Sequence, residues 1–255
     1  MEYTEGCLAF LDILGFSQYV GSEENFDKTY KLFEFVKRYC WFFNTSPQLK
    51  VEASFFSDTI IITAKEFDDL ILPIYMAESF LKKELGLLFR GGIVRGKYYH
   101  KDDTTFGPAV VEGYALEKKA VYSRILLGNN VVDQDDKSIF HFVDIDGYRC
   151  LNPFGTVLTE ILASAPDGIV YPENITQKVV EQFSERRKEL LNQIQRNKGT
   201  SVVDKYLWRV RAYNHVCKFV MNIPNEEMIY EEVEYAMNEE LREAVTKLII
   251  PFDEL

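Results

Sequence analysis

The chain has 255 residues, 47% of them hydrophobic and 14% aromatic, which supplies core material for one large domain or a domain with an extension. Acidic residues number 40 against 29 Lys and Arg, so the formal net charge is −11. This balance excludes a basic footprint for nucleic acid or anionic membrane. A polyanionic substrate would therefore need a local cluster of cations or bound metal ions.

The composition also bears on the compartment. The N-terminal residues lack the pattern of a secretory signal, and no apolar run approaches the ~20 residues of a membrane-spanning helix. The four cysteines are far apart and form no CxxC pair, which is typical of reduced, buried thiols. We therefore expect a cytoplasmic protein that binds neither nucleic acid nor membrane.

Apolar runs closed by turn residues predict strands, and apolar stripes at helical spacing predict helices. In chain order, the predicted elements are a strand over 7–14, a helix over 22–43 with Ser22 as its N-cap, a hairpin over 51–63 with Asp58 at or beside its tip, a helix over 67–85 that ends at Gly86, a strand over 87–94 with a partner strand over 97–106, a helix over 108–122 with Pro108 in its first turn, and short strands over 125–127, 139–143 and 148–151.

The last third of the chain differs in character. Residues 174–197, 200–221 and 225–248 are charged and amphipathic, which predicts three helices. The preceding order of elements is that of an α+β fold with antiparallel hairpins and not of regular βαβ alternation. We therefore predict an α+β core over residues 1–151 and a helical C-terminal extension over residues 152–255, packed on the core.

Two aspartates interrupt apolar strand sequences: Asp12 in LAFLDIL and Asp58 in FFSDTIII. An Asp in such a run is costly unless it is paired, metal-bound or at a strand end. If both strands share a sheet, the carboxylates converge, and hard divalent cations would relieve their repulsion. The alternative is that Asp12 caps the turn at Gly15 and that Asp58 is only a turn residue, both common roles for Asp.

Four segments resemble, in the correct order, the motifs of class III nucleotidyl cyclases. They are residues 10–17 (FLDILGFS), Ser57-Asp58, residues 90–96 (RGGIVRG) and residues 107–117 (GPAVVEGYALE). The resemblance implies a ferredoxin-like βαββαβ class III cyclase core and a homodimer with active sites at its interface. It also implies that Asp12, Asp58 and the backbone of Ile13 bind two divalent metal ions, Mg²⁺ or Mn²⁺.

Four positions depart from the pattern of the purine cyclases. Ser54 and Thr104 stand where that family has the Lys and Asp that read the base. Val111 stands at the position of the ribose-orienting Asn, and Ala115 at that of the transition-state Arg. Two small hydroxyls donate and accept hydrogen bonds but lack the charge and reach of the purine-reading pair. These departures fit either an inactive regulatory module or an enzyme with a different base.

The whole chain favours the enzyme. The FLDILGFS opening, the FSDTII hairpin and the late KYLW segment, which Tyr213-Asn214 follow, resemble the bacterial pyrimidine cyclases of Pycsar anti-phage defence. That resemblance implies synthesis of cyclic UMP or cyclic CMP, which activates a downstream effector. We expect UTP, before CTP, as the substrate. The alternatives are a catalytically inert nucleotide-binding module and a purine cyclase that reads its base differently.

The substrate phosphates require donors and cations beyond the metal ions. Because Ala115 supplies no cation, Arg90, Arg95 and Arg124 are candidate replacements, although an Arg on a strand or loop is commonly solvated or ion-paired. A helix that starts near residue 15 offers backbone N–H groups to phosphate. The expected catalytic residues are Asp12, Asp58, Arg95 and Arg124, and the expected substrate-binding residues are Ser54, Thr104, Phe16, Ser17 and Arg90.

Overall fold

The computed structural model describes residues 2–101, 103–133, 138–155, 172–222, 239–252 and 255. The chain divides into two compact units. The first comprises Met1–Asp136 and Ile145–Leu151, and the second comprises Lys137–Asp144 and Asn152–Leu255. The functional domains predicted from the sequence, and the packing of the extension on the core, stay predictions.

The first half of the chain combines strands with α-helices, and the last third of the described residues is helical. The strands and α-helices are β1 (Thr4–Leu14), α1 (Phe16–Val20), α2 (Phe26–Asn44), β2 (Val51–Phe56), β3 (Thr59–Ala64), α3 (Phe67–Phe80), β4 (Leu88–Lys101), β5 (Thr104–Phe106), α4 (Pro108–Glu117), β6 (Ile125–Leu127), β7 (His141–Val143), β8 (Arg149–Leu151), α5 (Pro172–Asn197), α6 (Val203–Asn222) and α7 (Glu239–Thr246).

The sheet of the first unit has the spatial order β2-β3-β1-β4-β6-β8, with β5 paired to the end of β4. Its first four strands are antiparallel, whereas β6 runs parallel to β4. Helix α2 connects β1 to β2, and α3 connects β3 to β4. This is the βαββαβ order of a ferredoxin-like fold, so the predicted α+β class and core are confirmed.

Strand alternation gives the sheet two distinct faces, and α4 covers part of one of them. Leu8 and Val94 form a buried cluster with Ala109 of α4. A Cβ added to Gly92 would lie 2.7 Å from the Cβ of Leu116. The helix therefore lies directly on the β4 backbone, on what we call the α4 face of the sheet. This close contact brings the C-terminal end of α4 over the same face.

Several boundaries differ from the sequence prediction. The helix predicted over 108–122 ends at Glu117, and the helix predicted over 67–85 is α-helical only to Phe80, with a π-helical turn over Leu81–Leu85. The partner strand predicted over 97–106 is wrong in part, because residues 97–101 continue β4 and only Thr104–Phe106 turn back to pair with Tyr99–Lys101. Helix α2 begins at Phe26, after a short 3₁₀ turn, and Ser22 makes no side-chain cap hydrogen bond. Gly86 adopts the left-handed conformation expected of a helix C-cap, with φ of 67°.

Helix α6 makes buried polar contacts in the core of the second unit. The indole Nε1 of Trp208 donates a hydrogen bond to Oδ2 of Asp144 at 2.9 Å. The hydroxyl of Tyr213 donates to the carbonyl of Phe183 on α5 at 3.1 Å. The KYLW segment and Tyr213 thus serve the core of this unit. Of the helix predicted over 225–248, residues 239–246 are helical, and residues 225–238 lie outside the described residues.

In the part of the chain that the structure describes, no helix combines the length and apolarity needed to cross a membrane.

Candidate functional site

The two aspartates lie at one end of the central strands. Asp12, two residues before the end of β1, is flanked in register by Thr59 of β3 and Arg90 of β4. Asp58 occupies the second position of the two-residue β2–β3 turn, as the hairpin pattern predicts. The backbone N–H of Ile13 donates to the carbonyl of Asp58 at 2.9 Å. The hairpin tip is thereby fixed against β1 beside Asp12.

Burial and neighbouring charges both act on the pKa of Asp12. Burial raises the pKa of its carboxyl, the Arg90 guanidinium lowers it, and the carboxylates of Glu117 and Asp58 raise it again. Asp58 is therefore close enough to act on Asp12 through space. Asp12 does not cap the turn at Gly15, because α1 has no side-chain cap, and Asp12 accepts its hydrogen bond from Arg90.

The oxygen donors at this point suit a divalent metal ion whose remaining ligands come from the substrate. Among the described residues, no three His, Cys, Asp or Glu side chains converge on one point. The Asp58 carboxylate acts on the pKa of the Asp12 carboxyl, and the Ile13 N–H is bonded to the Asp58 carbonyl, so two carboxylates lie near each other at the hairpin tip. Such hard oxygen donors suit Mg²⁺ or Mn²⁺, and Mg²⁺ commonly uses one or two carboxylates together with substrate phosphates. These residues are therefore compatible with metal ions bound together with a triphosphate.

Glu117, to which the sequence analysis assigned no role, joins this site from α4. Its Oε1 lies 2.6 Å from Nε of Arg90, and the same Nε lies 3.1 Å from Oδ2 of Asp12. The Glu117 side chain is 1% exposed, and Lys118 Nζ lies 3.6 Å from its other carboxylate oxygen. In the sequence, the only indication of this role was an acidic residue at the end of the apolar segment 108–117. Its partner was not evident, because the pairing depends on how α4 lies on the sheet.

The other two candidate arginines lie in different surroundings. Arg124 is buried, and its Nη2 lies 2.6 Å from Oδ2 of Asp146. Arg95 pairs in register with Cys7, an odd number of residues from the Asp12–Arg90 pair, and so lies on the opposite face of the sheet. Its Nη2 donates to Glu66 Oε2 at 2.8 Å. The catalytic roles of Arg95 and Arg124 stay predictions, and the ion pairs with Glu66 and Asp146 do not favour them.

Arg95 contributes instead to a cleft of about 710 Å³ in the first unit. Its walls come from the start of α3 and from the loop after β6. The lining residues are Glu66, Phe67, Asp68, Arg95, Asn129, Asn130, Val131, Val132 and Asp133. The cleft is therefore separate from the carboxylate pair.

Of the two predicted base-reading residues, Ser54 is paired with a threonine hydroxyl, but the threonine is Thr105 and not Thr104. Ser54 is buried on β2, and its hydroxyl lies 3.0 Å from that of Thr105. Thr104, the residue expected from the motif spacing, is exposed. Consecutive residues of a strand point to opposite faces, so Thr105 and not Thr104 meets Ser54. This alternation was the signal that could have identified Thr105.

The residues after Asp12 begin a short helix. Gly15 has a φ of 81°, in the left-handed region, and α1 starts at Phe16. The Phe16 ring is buried edge-to-face against Phe33, at a centroid distance of 6.1 Å, whereas Ser17 is exposed. Any contact of Phe16 with a substrate would therefore involve its backbone N–H. The phosphate-binding role predicted for both residues stays a prediction.

A buried histidine lies further along the α4 face. Nδ1 of His100 is 2.7 Å from the hydroxyl of Thr63, while its Nε2 is buried without a hydrogen-bond partner among the described residues. Burial lowers the pKa of His100 from 6.5 to about 4. The imidazole is therefore neutral in the folded protein at pH 7.

Replacing this histidine, as His100→Gln, should weaken the dependence of stability on pH between 6.5 and 4. In that window the unfolded wild type binds a proton at His100 that the folded state does not, so wild-type stability falls as the pH decreases. The slopes should differ by up to about 1.4 kcal/mol per pH unit. Urea unfolding of both proteins at pH 7, 6 and 5 measures this difference. Equal slopes would contradict the lowered pKa.

Comparison with known proteins gives similarities of fold. No family model matches the sequence, and no curated protein matches it. The chain is similar to the monomeric guanylyl cyclase domain of the RhoGC fusion protein from the aquatic fungus Blastocladiella emersonii, with 12% identity, a TM-score of 0.46, and coverage of 59% of this chain and 98% of that chain.

Two further solved structures are similar. The catalytic core of a rhodopsin-guanylyl cyclase with converted specificity, in complex with ATPαS, has 14% identity and a TM-score of 0.44, covering 59% of this chain and 97% of that chain. A bacterial light-regulated adenylyl cyclase has 15% identity and a TM-score of 0.43, covering 71% and 100%. Identities and TM-scores this low describe a likeness of fold alone.

Proposed function

We propose that this chain is a nucleotidyl cyclase that converts a pyrimidine nucleoside triphosphate, UTP before CTP, into its 3′,5′-cyclic monophosphate and pyrophosphate. The observation that carries the proposal is the convergence of Asp12 and Asp58 at one end of the central strands, where Asp58 acts on the pKa of Asp12. An acidic protein that uses a triphosphate needs such a site, because carboxylates collect the metal ions that hold the phosphates.

Asp12, Asp58 and the backbone carbonyl of Ile13 would hold two Mg²⁺ or Mn²⁺ ions. Bound ions would supply Lewis-acid stabilisation of the phosphate oxygens and lower the pKa of the ribose 3′-hydroxyl. The contribution of the chain is positional. The hydrogen bond from Ile13 to Asp58 keeps the hairpin tip against β1, which would hold the two carboxylates near the ions before substrate arrives.

The reaction requires little covalent participation from the protein. The 3′-oxygen attacks the α-phosphorus as its proton passes to solvent water, the bond from that phosphorus to the bridging oxygen breaks, and pyrophosphate leaves. Alignment of the attacking and leaving oxygens, with stabilisation of charge on the phosphate, accounts for most of the catalysis in such transfers. Metal ions held by Asp12 and Asp58 would contribute to both.

The base would lie along the same face of the sheet, near Ser54. Ser54 pairs with Ile61 of β3, whose other neighbour is Phe10, two residues before Asp12. Two strand spacings and two residues of rise correspond to roughly 12 Å between Ser54 and Asp12. That span is comparable with a nucleoside monophosphate. The paired hydroxyls of Ser54 and Thr105 provide neutral donors and acceptors for a pyrimidine edge, and exposed Thr104 is a further candidate.

A homodimer with its active sites at the interface is part of the proposal. Large apolar side chains are exposed in the first unit: Phe56, next to the hairpin turn that carries Asp58, is 84% exposed, and Val111 and Tyr114 of α4 are also exposed. Exposed large apolar groups are material for an interaction surface when they form one patch. A second copy of the chain would cover them and exclude water from the site.

The biological setting rests on the sequence motifs. We propose that the cyclic nucleotide is a second messenger of anti-phage defence that activates a separate effector, and that the enzyme works in the cytoplasm. All four cysteines are buried free thiols, which is compatible with a reducing compartment.

Incubation of the purified protein with each of ATP, GTP, CTP and UTP, plus Mn²⁺ or Mg²⁺, tests the function. We expect cyclic UMP, or cyclic CMP, as the product resolved by mass spectrometry. A cyclic purine nucleotide as the main product would contradict the pyrimidine assignment. No product from any nucleotide, in protein that is folded and dimeric, would favour an inert nucleotide-binding module.

A further inference from the structure

We propose that His100 is a positioning residue for the nucleotide base, and that it acts by holding the β4–β5 arm (residues 98–101 and 104–106) in place. The arm carries Thr105, whose hydroxyl pairs with that of Ser54. The inference rests on the proposed function and deepens it, because selection of the base then depends on a side chain that does not touch the substrate.

The β4–β5 arm crosses the α4 face of the sheet. Strand β4 pairs with β1 as far as Tyr98, and the residues after Tyr98 pair with β5. The Tyr98 side chain reaches across β1, where its hydroxyl donates to the carbonyl of Ala64 on β3 at 3.3 Å. A Cβ on Gly6 of β1 would lie 3.0 Å from that hydroxyl. The absence of a side chain at Gly6 therefore lets Tyr98 cross.

Two further contacts attach the arm to β3 and β2. Nδ1 of His100 lies 2.7 Å from the hydroxyl of Thr63 on β3. The hydroxyl of Thr105 lies 3.0 Å from that of Ser54 on β2. His100 and Thr105 are direct partners in the β4–β5 pairing, so their side chains share a face with Cβ atoms about 5 Å apart. A shift of His100 away from Thr63 would therefore move Thr105 as well.

The state of the His100 ring suits an anchor. The side chain is 9% exposed, and burial lowers its pKa to about 4, so the ring is neutral and needs no counter-ion. Its Nε2 is buried and makes no hydrogen bond to the described part of the chain, which costs free energy. An apolar residue would avoid this cost. The bond from Nδ1 to Thr63 is thus what a histidine contributes at this position.

The anchor is remote from the reacting phosphate. Thr63 is four residues along β3 from Thr59, the partner of Asp12 on β1, which corresponds to a rise of about 13 Å. His100 is therefore out of reach of metal ions held by Asp12 and Asp58. Loosening the arm should weaken binding of the base equally in the ground state and the transition state. Such a loss raises KM and leaves kcat nearly unchanged.

The contact between His100 and Thr63 is removable from either side. Leu and Asn branch at the same carbon, but in His100→Asn the amide takes the place of Nδ1, whereas His100→Leu has no polar atom there. Thr63→Val removes the hydroxyl and keeps the shape. We expect His100→Leu and Thr63→Val each to raise KM for the preferred triphosphate about 3- to 10-fold, the worth of one hydrogen bond. The value of kcat should stay within about twofold of wild type.

Three comparisons separate positioning from a general loss of stability. The double variant His100→Leu/Thr63→Val should be no worse than either single one, because both remove the same contact. His100→Asn should restore KM to within about twofold of wild type. In an equimolar mixture of UTP and CTP, the ratio of cyclic UMP to cyclic CMP should shift toward unity in His100→Leu and Thr63→Val, and His100→Asn should keep the wild-type ratio.

His215 supplies the matched control. It belongs to the second unit, and its Nε2 is also buried without a hydrogen-bond partner among the described residues. His215→Asn should therefore change neither KM nor the product ratio. Circular dichroism and thermal unfolding identify the folded variants, and if His100→Leu does not fold, Thr63→Val decides, since it keeps the imidazole ring.

Folded His100→Leu and Thr63→Val proteins with the KM and product ratio of the wild type would overturn the inference. A His100→Asn protein as impaired as His100→Leu would overturn it too, because the bond to Thr63 would then not be what matters. A wild type that makes no cyclic nucleotide from any triphosphate would instead refute the proposed function.

Discussion

Asp58→Ala and Asp12→Asn should each reduce cyclic nucleotide formation by at least about 10³-fold, because both carboxylates are needed to hold the metal ions that stabilise the reacting phosphate. The fold should survive. Asp58 lies in a turn that tolerates other residues, and Asp12→Asn keeps the shape of the side chain while Arg90 retains Glu117 as its partner.

Product formation from the preferred triphosphate, measured at saturating Mn²⁺, gives the loss, and circular dichroism checks the fold. Asp27→Ala removes an exposed carboxylate from the first turn of α2 and is the matched control for the change in net charge. It should keep wild-type activity. A folded Asp58→Ala variant with a tenth or more of the wild-type rate would rule out the assigned metal site.

Trp208→Ala should destabilise the second unit by about 3–5 kcal/mol, the range for truncating a buried tryptophan. Its side chain is 1% exposed, stacks against Phe142 at 6.1 Å and donates to Asp144. Trp208→Phe should cost less, because the ring contact is partly retained while the hydrogen bond to the buried carboxylate is lost.

The only other tryptophan supplies the control. Trp41 is 67% exposed on α2, so Trp41→Ala should change the free energy of unfolding by less than about 0.5 kcal/mol. Urea unfolding followed by circular dichroism compares the variants without relying on tryptophan fluorescence. Equal effects of the two substitutions would contradict the buried position of Trp208.

The elements that were predicted well depend on local chemistry. The β2–β3 hairpin follows from β-branched and aromatic runs on both sides of a polar turn. Gly86 closes the α3 region because a left-handed C-cap favours glycine, and Pro108 begins α4 because its missing N–H is not needed there. Each of these signals is contained within a few neighbouring residues.

The length of β4 was missed because a glycine interrupts the pattern of a strand. Gly96 separates the predicted strand from its continuation, yet it pairs in register with Gly6 of β1. A Cβ on Gly6 would lie 2.5 Å from the carbonyl oxygen of Ala64, so this part of the sheet requires glycine on β1. Pairing with an adjacent strand outweighs the weak local preference of Gly96.

By itself, the sequence determined that two carboxylates stand in apolar strand segments, that one of them lies at a hairpin tip, and that the fold is α+β. These conclusions need only side-chain chemistry and short-range periodicity. The tertiary structure decided which cation adjoins Asp12, because the ion pair joins residues 78 positions apart through the β1–β4 register. It also placed Glu117 over that pair, since a helix on a sheet brings together residues that no local pattern connects.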